Sequence, residues 1–547
     1  MKIIKYCKRY LLEQGFSYFI YFILSLIMAV IGLCLPILTG KFIDNLIFRN
    51  GIQGIMKYCI FITIISVSNL LFNVICTYMG VKVQTIAGYK LNKDILDYLK
   101  KVSISYTKNV DIMYLNERIN NDANELIIFT MNVIVQFVIN SFILFAAMIL
   151  LLKINLIIAC LLFGLVVLYL FVYIIFKKQL YKKVKSVKEA QAVFFSKLSE
   201  HISFIQFIKS HSLYNIFNQR LNHSFKLTLD KILSFQKIKA LFFSCDSIVS
   251  TIAMILLYIL GGIEILRGSL TVGYFTITTN LFNSMVSSAK YFLDLAQDYQ
   301  NSLVSYNRII ELLEIPQQKE GNIVLNHIEK LEFKNVCFSY AERNIISNFS
   351  YEFYKGNIYC IVGENGAGKS TLVDLLLGLY LDEYKGGIFI NDYELHQLNL
   401  SELRKKNVGV CEQEPILISD TIEMNIKLEE HNCNSYIDID ELQEKIGLKQ
   451  FIYKLEDKEH TVINVQSNNL SGGEKQKISL ARLFTQNPDI MIFDEPTSAL
   501  DKESVYNFYE QLDKTKQDKI IILITHDYNL INDNTIILNL NNINNNE

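Results

Sequence analysis

The sequence predicts two architectures in one chain: an all-α membrane domain of six transmembrane helices, then an α/β phosphate-loop domain. Three observations predict this. The first half holds six long apolar segments, the second alternates short apolar strands with helices, and the stretch GENGAGKST (363–371) joins one such strand to a helix. A chain of 547 residues exceeds what one hydrophobic core supports. Hydrophobic residues make up 51% of it and the mean hydropathy is positive, as expected of a chain half embedded in lipid. The formal net charge of −1 supplies no general basic field, so nucleic acid is not expected as a partner. Ten cysteines are scattered without a Cys-x-x-Cys pair. They read as buried thiols, not as a disulfide framework or a metal site.

The apolar segments run over 15–40, 58–81, 126–152, 154–176, 240–263 and 269–293, each long enough for a bilayer core that takes about 20 helical residues. The basic N-terminus MKIIKYCKRYLLEQG precedes the first. A cleaved secretory signal would have a shorter apolar core, so this stretch reads as a cytoplasmic entry helix. Loops after the second and fourth spans are long, and the latter opens with the lysine-rich KKQLYKKVKSVK. The excess of positive charge places both long loops, and both termini, on the cytoplasmic side. Their stretches SYTKNVDIMYLNERINNDANELIIF and SEHISFIQFIKSHSLYNIF keep helical apolar spacing, so the spans are expected to continue as helices beyond the membrane.

Polar residues inside the spans have two readings. On the third span Asn132, Gln136 and Asn140 share a helix face, and the sixth carries Thr276, Thr278, Thr279, Asn280, Asn283, Ser284, Ser287 and Ser288. Hydrogen bonds between helices and the lining of a water-filled cavity are equally open. Asp246, early in the fifth span, is an intramembrane acid close enough to the cytoplasmic end to be solvated or paired.

Past Lys290 a helix leaves the membrane and ends before Pro316. The domains are expected at 1–310 (membrane) and 331–547 (nucleotide-binding), with 311–330 as linker. In the second domain IYCIV, DIMIF and KIIILIT are apolar throughout, like parallel strands covered on both faces. Gly363, Glu364, Asn365, Gly366, Ala367, Gly368, Lys369, Ser370 and Thr371 satisfy G-x-x-x-x-G-K-[ST] in the strand–loop–helix context the motif requires. Backbone N–H groups there curl around phosphate oxygens. Lys369 reaches the outer phosphates, and the Ser370 hydroxyl suits Mg²⁺. DIMIFDE ends a buried strand in Asp494, a second Mg²⁺ candidate, and Glu495, placed to orient or deprotonate water.

With these residues the chain resembles the ATP-binding cassette (ABC) transporters, in particular type I exporter half-transporters with six spans ahead of one ABC ATPase domain. LSGGE (470–474) is similar to the family's signature, which closes over ATP held by the phosphate loop of a second nucleotide-binding domain. Ser471, Gly472 and Gly473 then belong to an ATP site completed between two chains. Ser471 and Glu474 also fit a capping box. The resemblance implies further roles. Tyr340 stacks on adenine, Gln413 touches Mg²⁺ and the attacking water, Asp501 ends the loop coupling the two sites, and His526 contacts the γ-phosphate. One stretch departs from the family: TVINVQSNN (461–469) lacks the Gly and Glu that relatives place before the signature.

The expected function is ATP-driven export from the cytoplasm by alternating access. ATP and Mg²⁺ are the cofactors, and a second half-transporter chain, the bilayer and a cargo are the partners. A homodimer or a heterodimer is possible, in the cell membrane with the nucleotide-binding domain cytoplasmic. An ATP-gated regulatory or channel-like protein, or a lipid or drug flippase, is the alternative. A peptide of bacteriocin type is the favoured cargo, by analogy alone.

Overall fold

The structure, a computed structural model, describes residues 2–48, 51–110, 112–154, 156–340, 343–428, 444, 446–463, 470–525 and 535–540. These form two compact units: Met1–Val102 with Lys108–Ile315, and Ser103–Thr107 with Pro316–Glu547.

The first part of the chain is helical. It comprises α1 (Lys2–Leu12), α2 (Gly15–Ile47), α3 (Gly51–Leu99), α4 (Ile104–Asn109), α5 (Ile112–Glu117), a π-helical turn Arg118–Asp122, and α6 (Ala123–Ile154). After these come α7 (Leu156–Ser203), α8 (Ile205–Ser210), α9 (Tyr214–Leu266) and α10 (Val272–Leu313). Helix α1 is amphipathic: Ile3, Cys7, Tyr10 and Leu11 are buried while Lys2, Lys5, Lys8 and Arg9 are exposed, the pattern of a helix lying along a surface. Helices α3, α7 and α9 have 49, 48 and 53 residues. At about 1.5 Å per residue each runs to roughly twice the ~30 Å bilayer core. Helical spacing in the polar loop sequences accounts for that excess.

Among the described residues, four helices are long and apolar enough to cross a membrane: Gly15–Ile47, Gly51–Leu99, Leu115–Ile154 and Tyr214–Leu266. The segment 154–176 falls mostly in α7, many of whose side chains there lie outside the described residues, and 269–293 falls mostly in α10. In α10 the hydroxyls of Thr276, Thr278, Thr279 and Ser284 donate to backbone carbonyls of their own helix at 2.8 to 3.0 Å, so its polarity is partly satisfied locally. The Asp246 side chain lies outside the described residues.

Helix pairs α7–α9, α6–α10 and α2–α3 carry the packing of this unit, around Leu151, Phe242, Leu257, Leu281 and Phe282. A charged knot ties three helices together. The π-helical turn carries Asp122, which pairs with Arg308 of α10 at 3.1 Å and Lys188 of α7 at 3.8 Å. Lys188 also reaches Glu125 of α6 at 2.6 Å. Buried charges persist when they are paired and hydrogen-bonded in this way.

The second unit is built on two sheets. An antiparallel sheet has the order β2–β1–β4–β5, from β1 (Lys330–Tyr340), β2 (Arg343–Tyr354), β4 (Lys385–Ile390) and β5 (Tyr393–Glu394). A parallel sheet has the order β6–β7–β8–β3–β9, from β3 (Ile358–Val362), β6 (Val408–Cys411), β7 (Ile490–Asp494), β8 (Ile520–Ile524) and β9 (Thr535–Asn539). Its strands are covered on both faces. Ile490 and Ile492 of β7 join one core while Met491 and Phe493 join the other, and Ile520–Ile524 of β8 alternates likewise. This explains their continuous apolar runs. Residues before β1 also pack here: the Gly321 N–H donates to Leu398 O at 2.9 Å, and Ile328 is buried.

Candidate functional site

The C-terminal ends of β3, β6 and β7 supply the chemistry, as expected for an open parallel sheet. Buried β3 runs into residues 363–368 and then α11 (Lys369–Leu376). Gly366 (φ 86°) and Gly368 (φ 96°) turn through the left-handed region, which glycine enters without strain. Lys369 is buried and folds back, donating to the carbonyls of Gly363 at 2.6 Å and Glu364 at 3.3 Å. Burial lowers its pKa, opposed by the nearby charges of Glu495 and Asp494.

Strand β7 delivers the acids. The Ser370 hydroxyl donates to Asp494 Oδ2 at 2.9 Å, bringing the two Mg²⁺ candidates together across 124 residues of chain. Burial raises the Asp494 pKa and Glu495 adds to this, while Ser370 opposes it. Glu495 is a non-glycine residue at φ 48°, a strained conformation that recurs at functional sites; its N–H is fixed on Ile524 O at 2.9 Å. The register pairs Cys411 of β6 with Phe493 of β7, so Gln413 emerges beside Glu495 and donates to its Oε2 at 3.0 Å. Lys369, Ser370, Asp494, Glu495 and Gln413 thus converge.

Tyr340, at the end of β1, is 40% exposed. It donates to the Tyr380 hydroxyl at 3.4 Å and stands edge-on to Phe338, with centroids 4.8 Å apart. Its ring is braced on one side and open on the other. His526 lies outside the described residues; β8 ends at Ile524, with buried Thr525 following.

Ser471 is the N-cap of α12 (Gly472–Gln486). The capping box is complete: Ser471 Oγ accepts from Glu474 N at 3.3 Å, and Ser471 N donates to Glu474 Oε2 at 2.7 Å. A Cβ at Gly473 would lie 2.6 Å from Ala499 O, so glycine is needed there by a contact within this chain. Asp501 caps α13 (Lys502–Thr515), accepting from Ser504 N at 2.9 Å. Lys477 of α12 pairs with it at 2.8 Å. The Lys477–Asp501 pair and the close approach of Gly473 to Ala499 therefore tie the signature helix to the 498–501 loop. Among the described residues no hydrogen bond joins Ser471, Gly472 or Gly473 to the phosphate loop. Residues 464–469, most of the stretch that departs from the family, lie outside the described residues.

Sequence reasoning missed three participants. Lys477 carries no signal in the sequence that would pair it with Asp501. Arg482 holds the segments after Gln413, donating to Ile416 O at 3.0 Å and Asn425 O at 2.8 Å. Glu383 accepts from Ser105 at 2.5 Å and from Ser103, gripping a loop tip whose Ile104 packs on the core of the second unit. Nothing in the sequence pairs residues that far apart.

A helical membrane unit joined to a phosphate-loop unit with an acidic strand end defines the class: a nucleotide-binding membrane protein. The ABC transporter model matches residues 346–498, and the ABC transporter transmembrane region model matches 18–289. The chain belongs to the ABC transporter family. It is 33% identical over 271 residues to the leukotoxin translocation ATP-binding protein LktB of Mannheimia glucosida, covering 49% of this chain and 38% of that protein. It is 28% identical over 289 residues to an ATP-dependent lipid A-core flippase of Aliivibrio fischeri, covering 52% and 49%. In both cases the match spans half or less of the relative's length. A bacterial Atm1-family ABC exporter with ATP bound has the same fold, at TM-score 0.83 and 20% identity, covering 95% of this chain and 92% of that one.

Proposed function

We propose that the chain is one half of an ATP-driven exporter, with two copies forming two ATP sites head to tail. The observation that carries this is a division within the chain. Lys369, Ser370, Asp494, Glu495 and Gln413 converge, while Ser471–Gly473 are held elsewhere, against Ala499. Each copy offers a catalytic half-site and a separate phosphate-facing helix start.

In this reading residues 363–371 cradle the phosphates and Tyr340 stacks on adenine. Ser370, Asp494 and Gln413 offer the oxygen donors that Mg²⁺ takes, and the ion would neutralise phosphate charge. Glu495 takes the proton of the attacking water, which Gln413 helps to orient. The family resemblance assigns His526 to the γ-phosphate. Ser471, Gly472 and Gly473 of the second copy present a helix N-terminus to the same group, and the Lys477–Asp501 pair links the two sites. Closure favours whichever membrane state binds ATP more tightly. The proposed arrangement places six spans in 1–310 and the nucleotide-binding domain in 331–547, on the cytoplasmic side of the cell membrane. Relatives named for a leukotoxin and for lipid A-core leave both peptide and lipid cargo in view, and we favour a peptide.

ATP hydrolysis by the purified full chain in vesicles tests the reading, with Glu495→Gln as control. Wild-type turnover well above the variant, with ATP still bound by both, supports it. Equal turnover would leave an ATP-gated channel or regulator as the better account.

A further inference from the structure

Helix α1 buries Ile3, Cys7, Tyr10 and Leu11 and exposes Lys2, Lys5, Lys8 and Arg9. Its contacts lie where the apolar segments of its neighbours end. The Tyr10 hydroxyl donates to Asp94 Oδ2 at 2.8 Å, past the apolar stretch 58–81 of α3. Tyr6 stands edge-on to Tyr306 of α10, with centroids 5.7 Å apart, past the stretch 269–293. The chain then turns into α2 with Leu12, Phe16 and Phe19 exposed, an apolar surface suited to acyl chains. One face of α1 is a pocket. Lys2, Lys5 and Arg9 recur at helical spacing, and with Tyr6 and Tyr306 they line a cavity of about 390 Å³, room for a small polar group. Its charge is largely uncompensated. Arg9 pairs with Asp94 at 3.1 Å and Glu13 is taken by Lys90, whereas among the described residues Lys2 and Lys5 have no ion-pair partner. Burial pushes the Tyr6 hydroxyl up to about 12, so it adds no negative charge at neutral pH. Among the described residues the Tyr306 hydroxyl makes no hydrogen bond, which leaves it free to donate.

Two ammonium groups, a guanidinium and a phenolic hydroxyl face one space. That donor set fits the oxygens of a phosphate group, and a phosphate held there would screen cations that otherwise repel one another. A phosphate carried on acyl chains also satisfies the apolar residues that follow α1. We propose that this pocket holds the headgroup of an anionic phospholipid, drawn from the leaflet in which α1 lies, the cytoplasmic one in the proposed orientation. Because Tyr306 belongs to α10, the lipid ties α1 to the helix that continues past the membrane. Diffuse attraction to a charged membrane surface would use Lys8 as much as Lys5. A pocket distinguishes them, because Lys8 lies outside it. The site requires only that the chain spans a bilayer and is independent of cargo and of ATP turnover.

The test uses the full chain in a neutral detergent, with native mass spectrometry counting retained lipid as phosphatidylglycerol or phosphatidylcholine is titrated. Phosphatidylglycerol is expected to half-saturate the chain at about tenfold lower concentration than phosphatidylcholine. Lys2→Gln combined with Lys5→Gln raises the phosphatidylglycerol value about tenfold, and Tyr306→Phe raises it about threefold. Lys8→Gln leaves it unchanged. The replaced lysines are exposed, and Phe keeps the ring against Tyr6, so the variants retain the fold. Equal retention of the two lipids overturns the inference, as does an unchanged value in the paired lysine variant. An equal rise on Lys8→Gln also overturns it, reducing α1 to a charged surface. So does displacement of the lipid by inorganic phosphate at comparable concentration, which would make a free anion the occupant.

Discussion

Gln413 donates from Nε2 to Glu495 Oε2 at 3.0 Å, although 82 residues separate them in the chain. The bond exists because β6 and β7 are neighbours in register. It joins a residue at the start of an exposed segment to the proposed general base. Gln413→Ala is expected to leave ATP binding near wild type and lower turnover by about 100-fold through misplaced water. Single-turnover hydrolysis measures this, and an unchanged rate would remove Gln413 from the chemistry.

Asp494 carries a pH prediction. Burial, with Glu495 beside it, holds its carboxyl above the ordinary carboxylate range. A raised acid favours the fold while protonated and costs stability as pH rises through the raised value. Asp494→Asn should therefore unfold at a higher temperature than wild type at neutral pH, while Mg²⁺-dependent turnover is lost. In the wild type, apparent Mg²⁺ affinity should weaken on acidification before ordinary carboxylates titrate. Thermal unfolding and Mg²⁺ titrations at two pH values check both.

Gly472 and Gly473 separate folding from closure. An added methyl at Gly473 meets Ala499 O at 2.6 Å, whereas at Gly472 the nearest atom is Ala499 Cβ at 3.9 Å. Gly473→Ala is expected to cost roughly 1–3 kcal/mol of stability. Gly472→Ala should stay within about 0.5 kcal/mol yet still impair ATP-driven closure. Denaturant unfolding read beside ATP-dependent dimer closure distinguishes the two.

The Lys477–Asp501 pair sets a fourth test. Lys477, helped by bonds from Ser504, holds the Asp501 carboxyl well below its usual range. A depressed acid adds stability above its unfolded value, near 4, and loses it as pH falls further. The Asp501 side chain is 57% exposed, so Lys477→Met should cost less than about 1 kcal/mol at neutral pH. The variant's acid unfolding should begin at higher pH than the wild type's. Unfolding midpoints across an acid series show whether it does.

Much of the candidate ATP half-site was legible because its residues are local in sequence. Residues 363–371 need one strand and one helix, Asp494 and Glu495 need one strand end, and Ser471 with Glu474 needs one turn. Strands β3, β7 and β8 were legible from unbroken apolar runs that burial on both faces demands. Partnerships set by sheet order were not, since Gln413–Glu495 and Ser370–Asp494 each require strands distant in sequence to lie together. The Ser105–Glu383 bond and the Asp122–Arg308–Lys188 knot were invisible for the same reason. Apolar windows stop where lipid stops, and it was the helical spacing of the polar loop sequences that carried α3, α7 and α9 beyond them.

The central claim is that one ATP site takes its phosphate loop from one copy and its signature from another. Cross-linking tests it directly. One tagged copy carries Asn365→Cys and a differently tagged copy carries Ser471→Cys, with Glu495→Gln in both to hold the closed state. Each single-cysteine variant serves as control for the native thiols. With ATP and Mg²⁺ the account predicts an adduct joining the two tags, absent without nucleotide. An ATP-dependent adduct only when both cysteines are in one copy would contradict it.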